Sequence, residues 1–279
     1  MIQFNKIAVV SRLPKGRHKK ECQKVIDLLT QKHGLDVYLN ESFASKFNYE
    51  KPVNMEEIHE FDLVIALGGD GTMLWASRYS NEVPLFGINA GYLGFLTTAT
   101  LNGSSKGIDR VLKGDFVLEK CMRLKVTLDG KTLPTALNES YATNKLNAQI
   151  CRLNITVNDY NLGTHLLDGL LVSTPVGSTA YALSAGGSII EPRIKAMQIV
   201  PVNSVSRRIR PFVVPGEAKI IITVPESFDG EAVVINDGIL EAKFIDGSIL
   251  EITKAQNETA FIRFPEHGFF NRLQDKLNF

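Results

Sequence analysis

Cysteine is scarce: Cys22, Cys121 and Cys151 are the three among 279 residues. An odd, widely spaced set offers neither a disulfide framework nor a metal-ligand spacing, and fits reduced thiols in a cytosolic protein. No apolar run approaches the roughly 18 residues needed to span a bilayer. Met1 to Val10 lacks the charged-then-apolar layout of a signal peptide. Neither sign of charge is in excess: 31 Lys and Arg against 30 Asp and Glu leave a net charge of +1. That gives no global pull toward nucleic acid or a membrane surface, so any basic site must be local. Also missing are internal repeats, low-complexity linkers, the Gly-Lys-Ser/Thr ending of a Walker A loop and a complete Rossmann fingerprint. What remains is an ordinary globular composition, 44% hydrophobic and 22% charged, long enough for one large domain or two small ones.

The first hundred or so residues alternate strand and helix. Lys6 to Ser11 reads as a buried strand, Lys19 to Lys32 as a helix, and Asp36 to Leu39 as a second strand. Phe61 to Leu67 is a continuous apolar strand running straight into glycines. A helix over Thr72 to Tyr79 and a strand over Val83 to Ile88 follow. Continuous apolar strands alternating with helices predict a parallel sheet covered on both faces. After about Leu101 the segments are short and alternating. They are joined by turn signals at Asp129-Gly130, Asn158 to Gly163, Asp229-Gly230, Asp237-Gly238 and Asp246-Gly247. Lys243–Ile245 and Ile249–Ile252 are expected to form a hairpin about Asp246-Gly247-Ser248. The expected organisation is an α/β domain over 1–100 and a β-rich domain over 101–254. An amphipathic terminal helix is expected within His267 to Phe279.

Three constellations carry polar chemistry that a core does not need. Gly68-Gly69-Asp70-Gly71-Thr72 lies between a buried strand and a helix, where ligands bind in open α/β sheets. Glycine N–H groups and a helix N-terminus suit phosphate oxygens. The Asp70 carboxylate would repel a phosphate but suits a hydroxyl that attacks one. Read alone, the pentapeptide also fits a strand-to-helix turn with Asp70 as cap. Asp168 to Gly187 packs a carboxylate, several hydroxyls, Tyr181 and four glycines into twenty residues. It suits nucleoside recognition, or a Gly/Ser-rich loop and cap. Ser178 is not a hydrolase nucleophile elbow, since Ala180 stands where glycine is needed. Asn138-Glu139 offers an acid for adjacent ribose hydroxyls, or turn chemistry.

These sets, in this order and with Asn89-Ala90-Gly91-Tyr92-Leu93-Gly94-Phe95-Leu96, resemble the NAD kinase family over nearly the whole chain. The resemblance implies a Rossmann-like N-terminal domain, a β-rich C-terminal dinucleotide-binding domain with the active site between them, and a tail, 255–279, returning to the first domain. It implies transfer of a phosphate to the 2′-hydroxyl of the adenosine ribose of NAD. The donor would be ATP, another nucleoside triphosphate or polyphosphate, carried with a divalent metal such as Mg²⁺. Asp70 would be catalytic, with Gly68, Gly69, Gly71 and Thr72 at the donor. Asp70, Gly71, Asn138, Glu139, Asp168, Thr179, Ala180, Tyr181, Ala182, Leu183, Ser184 and Asn203 would contact NAD. No dedicated metal ligands are visible. A cytoplasmic homo-oligomer, dimer or tetramer, is expected.

The chain departs from the family pattern at Val176, at Ser188, at Pro201 to Arg208, and at Ile239 after Asp237-Gly238. Two basic groups, one of Lys15, Arg17, His18, Lys19 and Lys20, the other of Arg207, Arg208 and Arg210, suit either donor phosphates or a solvated face. Lipid or sphingoid kinases and phosphofructokinase-like enzymes resemble the chain at Gly68 to Thr72 only. A dinucleotide-binding regulator with weak catalysis is the alternative from another class.

Overall fold

The computed structural model describes residues 4–12, 18–145, 149–206, 208–225 and 232–277. Lys15, Arg17, Arg207 and the Asp229-Gly230 turn signal lie outside the described residues. The chain divides into two compact units, Met1–Lys120 with Thr259–Phe279, and Cys121–Glu258.

The first unit is built on a parallel sheet. Its strands run in the order Pro52–Val53, Asp36–Asn40, Lys6–Ser11, Leu63–Leu67, Leu85–Asn89. The end of the strand Ile249–Arg263 adds to the last of these through Phe261 opposite Leu85. All five residues of Leu63–Leu67 are buried, as expected of a parallel strand covered on both faces. The strand order reverses between Lys6–Ser11 and Leu63–Leu67. In open α/β sheets that reversal opens a crevice at the carboxyl ends. Gly68 to Asp70 leave the second of these strands at that point.

The helical reading of Lys19 to Lys32 resolves into an α-helix, Lys19–Asp27, and a π-helical turn, Leu28–Lys32. This unit continues past the change of pattern near Leu101, because the helix Ser104–Leu112 buries Ile108 and Val111 in the same core as Ile7, Val9 and Phe86. The terminal helix, Phe269–Leu277, also belongs to it.

The second unit holds two sets of antiparallel strands. One runs Phe212–Pro215, Ala196–Val202, Gly169–Ser173, Glu139–Asn144, Ala232–Asn236, Ile239–Phe244. The other runs Tyr160–Leu167, Cys151–Val157, Ile220–Thr223 and the first part of Ile249–Arg263. Alternate residues of Cys151–Val157 turn inward, and Leu153 and Ile155 share a core with Leu170, Val172 and Val234. Asp129-Gly130 and Asp237-Gly238 turn their hairpins with both residues at positive φ, 49° and 79° in each case.

The expected hairpin about Asp246-Gly247 does not form. Ile239–Phe244 pairs with Ala232–Asn236, whereas the strand from Ile249 pairs with Ile220–Thr223. The turn is there, closed by Ser248 N–H to the Ile245 carbonyl, but it hands the chain from one sheet to the other. Phe244 on one arm and Leu250 and Ile252 on the other then reach one core from two sides.

Candidate active site

In the first unit the helix Asp70–Ser77 starts directly after Gly69. Two of the loop's N–H groups are already used. That of Gly68 goes to the Ile88 carbonyl at 2.9 Å and that of Thr72 to the Gly69 carbonyl at 2.9 Å. Gly69, Asp70 and Gly71 therefore keep the backbone donors, and those of the two glycines suit a phosphate at the positive end of the helix.

Asp70 is held from the segment Asn89 to Leu96. Its carboxylate accepts from Phe95 N–H at 2.8 Å and from Leu96 N–H at 3.0 Å, one bond to each oxygen. A carboxylate oxygen has two lone-pair sites, so each keeps one for a substrate hydroxyl. Gly94 lies flush against this group: a Cβ there would overlap the Asp70 carboxylate. Thr97 Oγ1 fixes the approach by accepting Gly94 N–H at 2.7 Å.

In the second unit the expected residues separate into two groups. Asn138 and Glu139 lie where the strand Glu139–Asn144 begins, both 8% exposed. Asp237 accepts the N–H groups of Leu137, Asn138 and Glu139 at 2.7, 2.7 and 3.2 Å. Burial, and then the charge of Asp237, push the Glu139 carboxyl up to about 8. Burial also raises Asp237, but three N–H groups and Arg123 favour its ionised form. Glu139 Oε2 is buried with no hydrogen-bond partner. The Asn138 carbonyl accepts from Thr174 N–H at 2.9 Å and Ser173 Oγ at 3.2 Å. It leaves no space for a Cβ at Gly177.

The other group forms where the same strand ends. Glu139 is opposite Ser173 and Thr143 opposite Gly169, so Asp168 sits about 16 Å from Glu139 at roughly 3.3 Å per residue. Asn203, in a left-handed conformation at φ 47°, donates to Asp168 Oδ2 at 2.8 Å. The two face a cavity of about 360 Å³ that Tyr141, Thr143, Lys145 and Tyr181 also line. Tyr141 and Tyr181 meet edge to face, with centroids 5.5 Å apart. Tyr181 begins the short helix Tyr181–Ser184, which carries Ala182, Leu183 and Ser184. Thr179 and Ser178 turn inward: Thr179 Oγ1 donates to the Val176 carbonyl at 3.1 Å and Ser178 Oγ to the Pro175 carbonyl at 2.6 Å. Sequence spacing could not show that Asp168 and Tyr141, 27 residues apart, share a cavity while Glu139 does not line it.

The family model described as the ATP-NAD kinase N-terminal domain matches residues 9–116, and the one described as the ATP-NAD kinase C-terminal domain matches residues 137–264. The NAD kinase of Methanopyrus kandleri is 35% identical over 274 residues, 97% of this chain and 96% of that protein. That of Methanosarcina acetivorans is 33% identical over 278 residues, 99% of each. The chain belongs to the NAD kinase family. An NAD kinase from Archaeoglobus fulgidus in complex with ATP superposes with a TM-score of 0.78 at 27% identity, over 98% of both chains. Yeast NADH kinase complexed with NADH shares the fold, with a TM-score of 0.89 at 20% identity, over 99% of this chain and 89% of that one.

The chain is thus a phosphotransferase of the NAD kinase type. One group in each unit carries no obvious sequence signal. Asp237 reads as a hairpin corner, and only the fold shows its carboxylate closing on the backbone 100 residues earlier in the chain. The carbonyls of Phe95 and Leu96 are met by Arg263, from the far end of the chain.

Proposed function

We propose that this NAD kinase family member transfers the γ-phosphoryl group of a nucleoside triphosphate to the 2′-hydroxyl of the adenosine ribose of NAD, giving NADP. The observation that carries the reading is the Asp70 carboxylate, oriented by two N–H groups at the carboxyl edge of a parallel sheet, beside the N–H groups of Gly69 and Gly71. The 2′-oxygen attacks the γ-phosphorus, the bond to the bridging oxygen breaks and the nucleoside diphosphate leaves. The hydroxyl proton passes to Asp70. Phosphoryl transfer rests mainly on positioning, so a modest base suffices. Asn138 and Glu139 suit ribose hydroxyls. Asp168, Asn203, Tyr181 and the Thr179 to Ser184 segment suit a nucleoside, in the β-rich dinucleotide-binding unit.

Among the described residues no three His, Cys, Asp or Glu side chains gather as a cage. A divalent ion would travel with the donor phosphates and neutralise their charge. The three cysteines are buried thiols, which suits a cytoplasmic protein, and no described helix is long and apolar enough to cross a membrane. Assembly as a homo-oligomer completes the reading.

The test is a panel of ATP, GTP and polyphosphate against NAD and NADH, read as NADP or NADPH formed. Asp70→Asn should keep the fold and dinucleotide binding and lower turnover about 10²- to 10⁴-fold. Near-normal turnover in that variant removes Asp70 from the mechanism.

A further inference from the structure

The peptide linking Phe95 and Leu96 is gripped at both ends. Its N–H, that of Leu96, donates to Asp70 Oδ1 at 3.0 Å. Its carbonyl, that of Phe95, accepts from Arg263 Nη2 at 3.2 Å. Arg263 Nη1 also donates to the Leu96 carbonyl at 2.8 Å and to Thr98 Oγ1 at 3.4 Å. The guanidinium is 5% exposed, and its Nε pairs with Glu119 Oε2 at 2.7 Å. Glu119 is shared with Arg272, whose Nη2 lies 3.1 Å from Oε1. Burial raises the Glu119 carboxyl, but the two guanidiniums outweigh it and hold it below its usual value. Glu119, Arg263, Arg272 and Asp70 all belong to one compact unit.

The Arg263 guanidinium lies on the far side of the peptide from the Asp70 carboxylate. The peptide dipole lies between opposite charges that both favour its orientation, and hydrogen bonds in such a chain polarise and strengthen one another. A buried ion cluster is weak evidence for stability, since desolvation offsets most of the attraction. Its geometry here does something more definite. A planar fork reaching Glu119 and two successive carbonyls fixes the backbone that aims Asp70, which a single ammonium cannot reproduce.

We infer that Arg263, oriented by Glu119, is a positioning residue for Asp70, acting through the Phe95–Leu96 backbone. The inference rests on the assignment of Asp70 to the attacking hydroxyl. Arg263→Gln and Arg263→Lys, each alone and combined with Asp70→Asn, test it. With Asp70 present, kcat should fall about 10- to 100-fold, the scale of a misplaced catalytic group, with KM for NAD and for ATP unchanged within about twofold. In the Asp70→Asn background the same changes should cost less than about threefold, because the group they aim is gone. Equal losses in both backgrounds, or a change confined to KM, would overturn the inference and leave Arg263 a structural residue. If Arg263→Gln does not fold, Arg263→Lys, which keeps a charge for Glu119, decides alone. Amide exchange of Phe95 and Leu96 gives a readout independent of turnover: both amides should exchange faster in Arg263→Lys, and unchanged protection counts against the clamp. An unmodified chain that forms no NADP would defeat the functional reading instead, and the exchange result would still judge the clamp.

Discussion

Glu139 is a carboxyl that the protein buries without satisfying: its Oε2 lacks a partner and Asp237 lies close by. A buried polar atom left alone costs free energy, and a ligand hydroxyl recovers it. The same environment makes stability depend on pH. In the unfolded chain a glutamate titrates near ~4.3, whereas in the folded protein burial and Asp237 move Glu139 to about 8. Between those limits the folded state binds more protons than the unfolded one, so raising the pH costs stability. The loss is complete above the folded value. Glu139→Gln cannot ionise and should escape it. The melting temperature of the variant, relative to the unmodified protein, should rise steadily from pH 5 and level off above pH of about 8. A difference in melting temperature that stays constant with pH would show that Glu139 is ionised throughout.

At the level of elements, the segment Asn89 to Leu96 serves mainly as a mould for Asp70. Gly94 is the point of closest approach, and an alanine there drives its Cβ into the carboxylate. Overpacking of this kind costs about 1–3 kcal/mol, which a unit with so large a core absorbs. Gly94→Ala should therefore remain folded, with a melting point a few degrees lower, and lose turnover on the scale of Asp70→Asn. Normal turnover would mean that Asp70 does not work from the position seen here. Much of this region was legible beforehand. A continuous apolar strand ending in glycines marks Leu63–Leu67 and the loop after it, and Asp-Gly pairs mark the hairpin corners at 129 and 237, because these signals are local. The sheet change at Asp246-Gly247 was not legible, since a turn signal specifies a reversal and says nothing about which strand the next segment pairs with. Arg263 and Glu119 were silent, and Asp237 read only as a hairpin corner, for a similar reason. Each acts on a group far away in sequence, and a lone charged residue in a strand or turn has no periodicity to betray it. The helix Glu41–Phe47 is short and lacks the spacing a longer amphipathic helix displays.

For the whole molecule, one face of the second unit bears on assembly. Tyr160–Leu167 and Phe212–Pro215 are both edge strands. Leu162, Leu166, Val205 and Val213 are exposed on or beside them, and Val205 N–H bonds the Leu166 carbonyl. Leu162, His165 and Pro211 line one cavity of about 400 Å³ with Arg208 and Arg210. Neither arginine forms an ion pair among the described residues. Edge strands with exposed apolar side chains invite pairing unless something covers them. Two guanidiniums at such an edge favour an anionic partner, either a carboxylate of a second copy or a donor phosphate. We expect the second copy, because the apolar side chains beside the arginines contribute nothing to binding a phosphate and much to an interface. Arg208→Ala/Arg210→Ala should then shift the light-scattering mass toward smaller species at unchanged intrinsic affinity for ATP. Weaker ATP binding at an unchanged mass would move the arginines to the donor. A variant unaltered in mass, affinity and turnover would leave them as a solvated rim, and the expectation of an interface at this edge would fall.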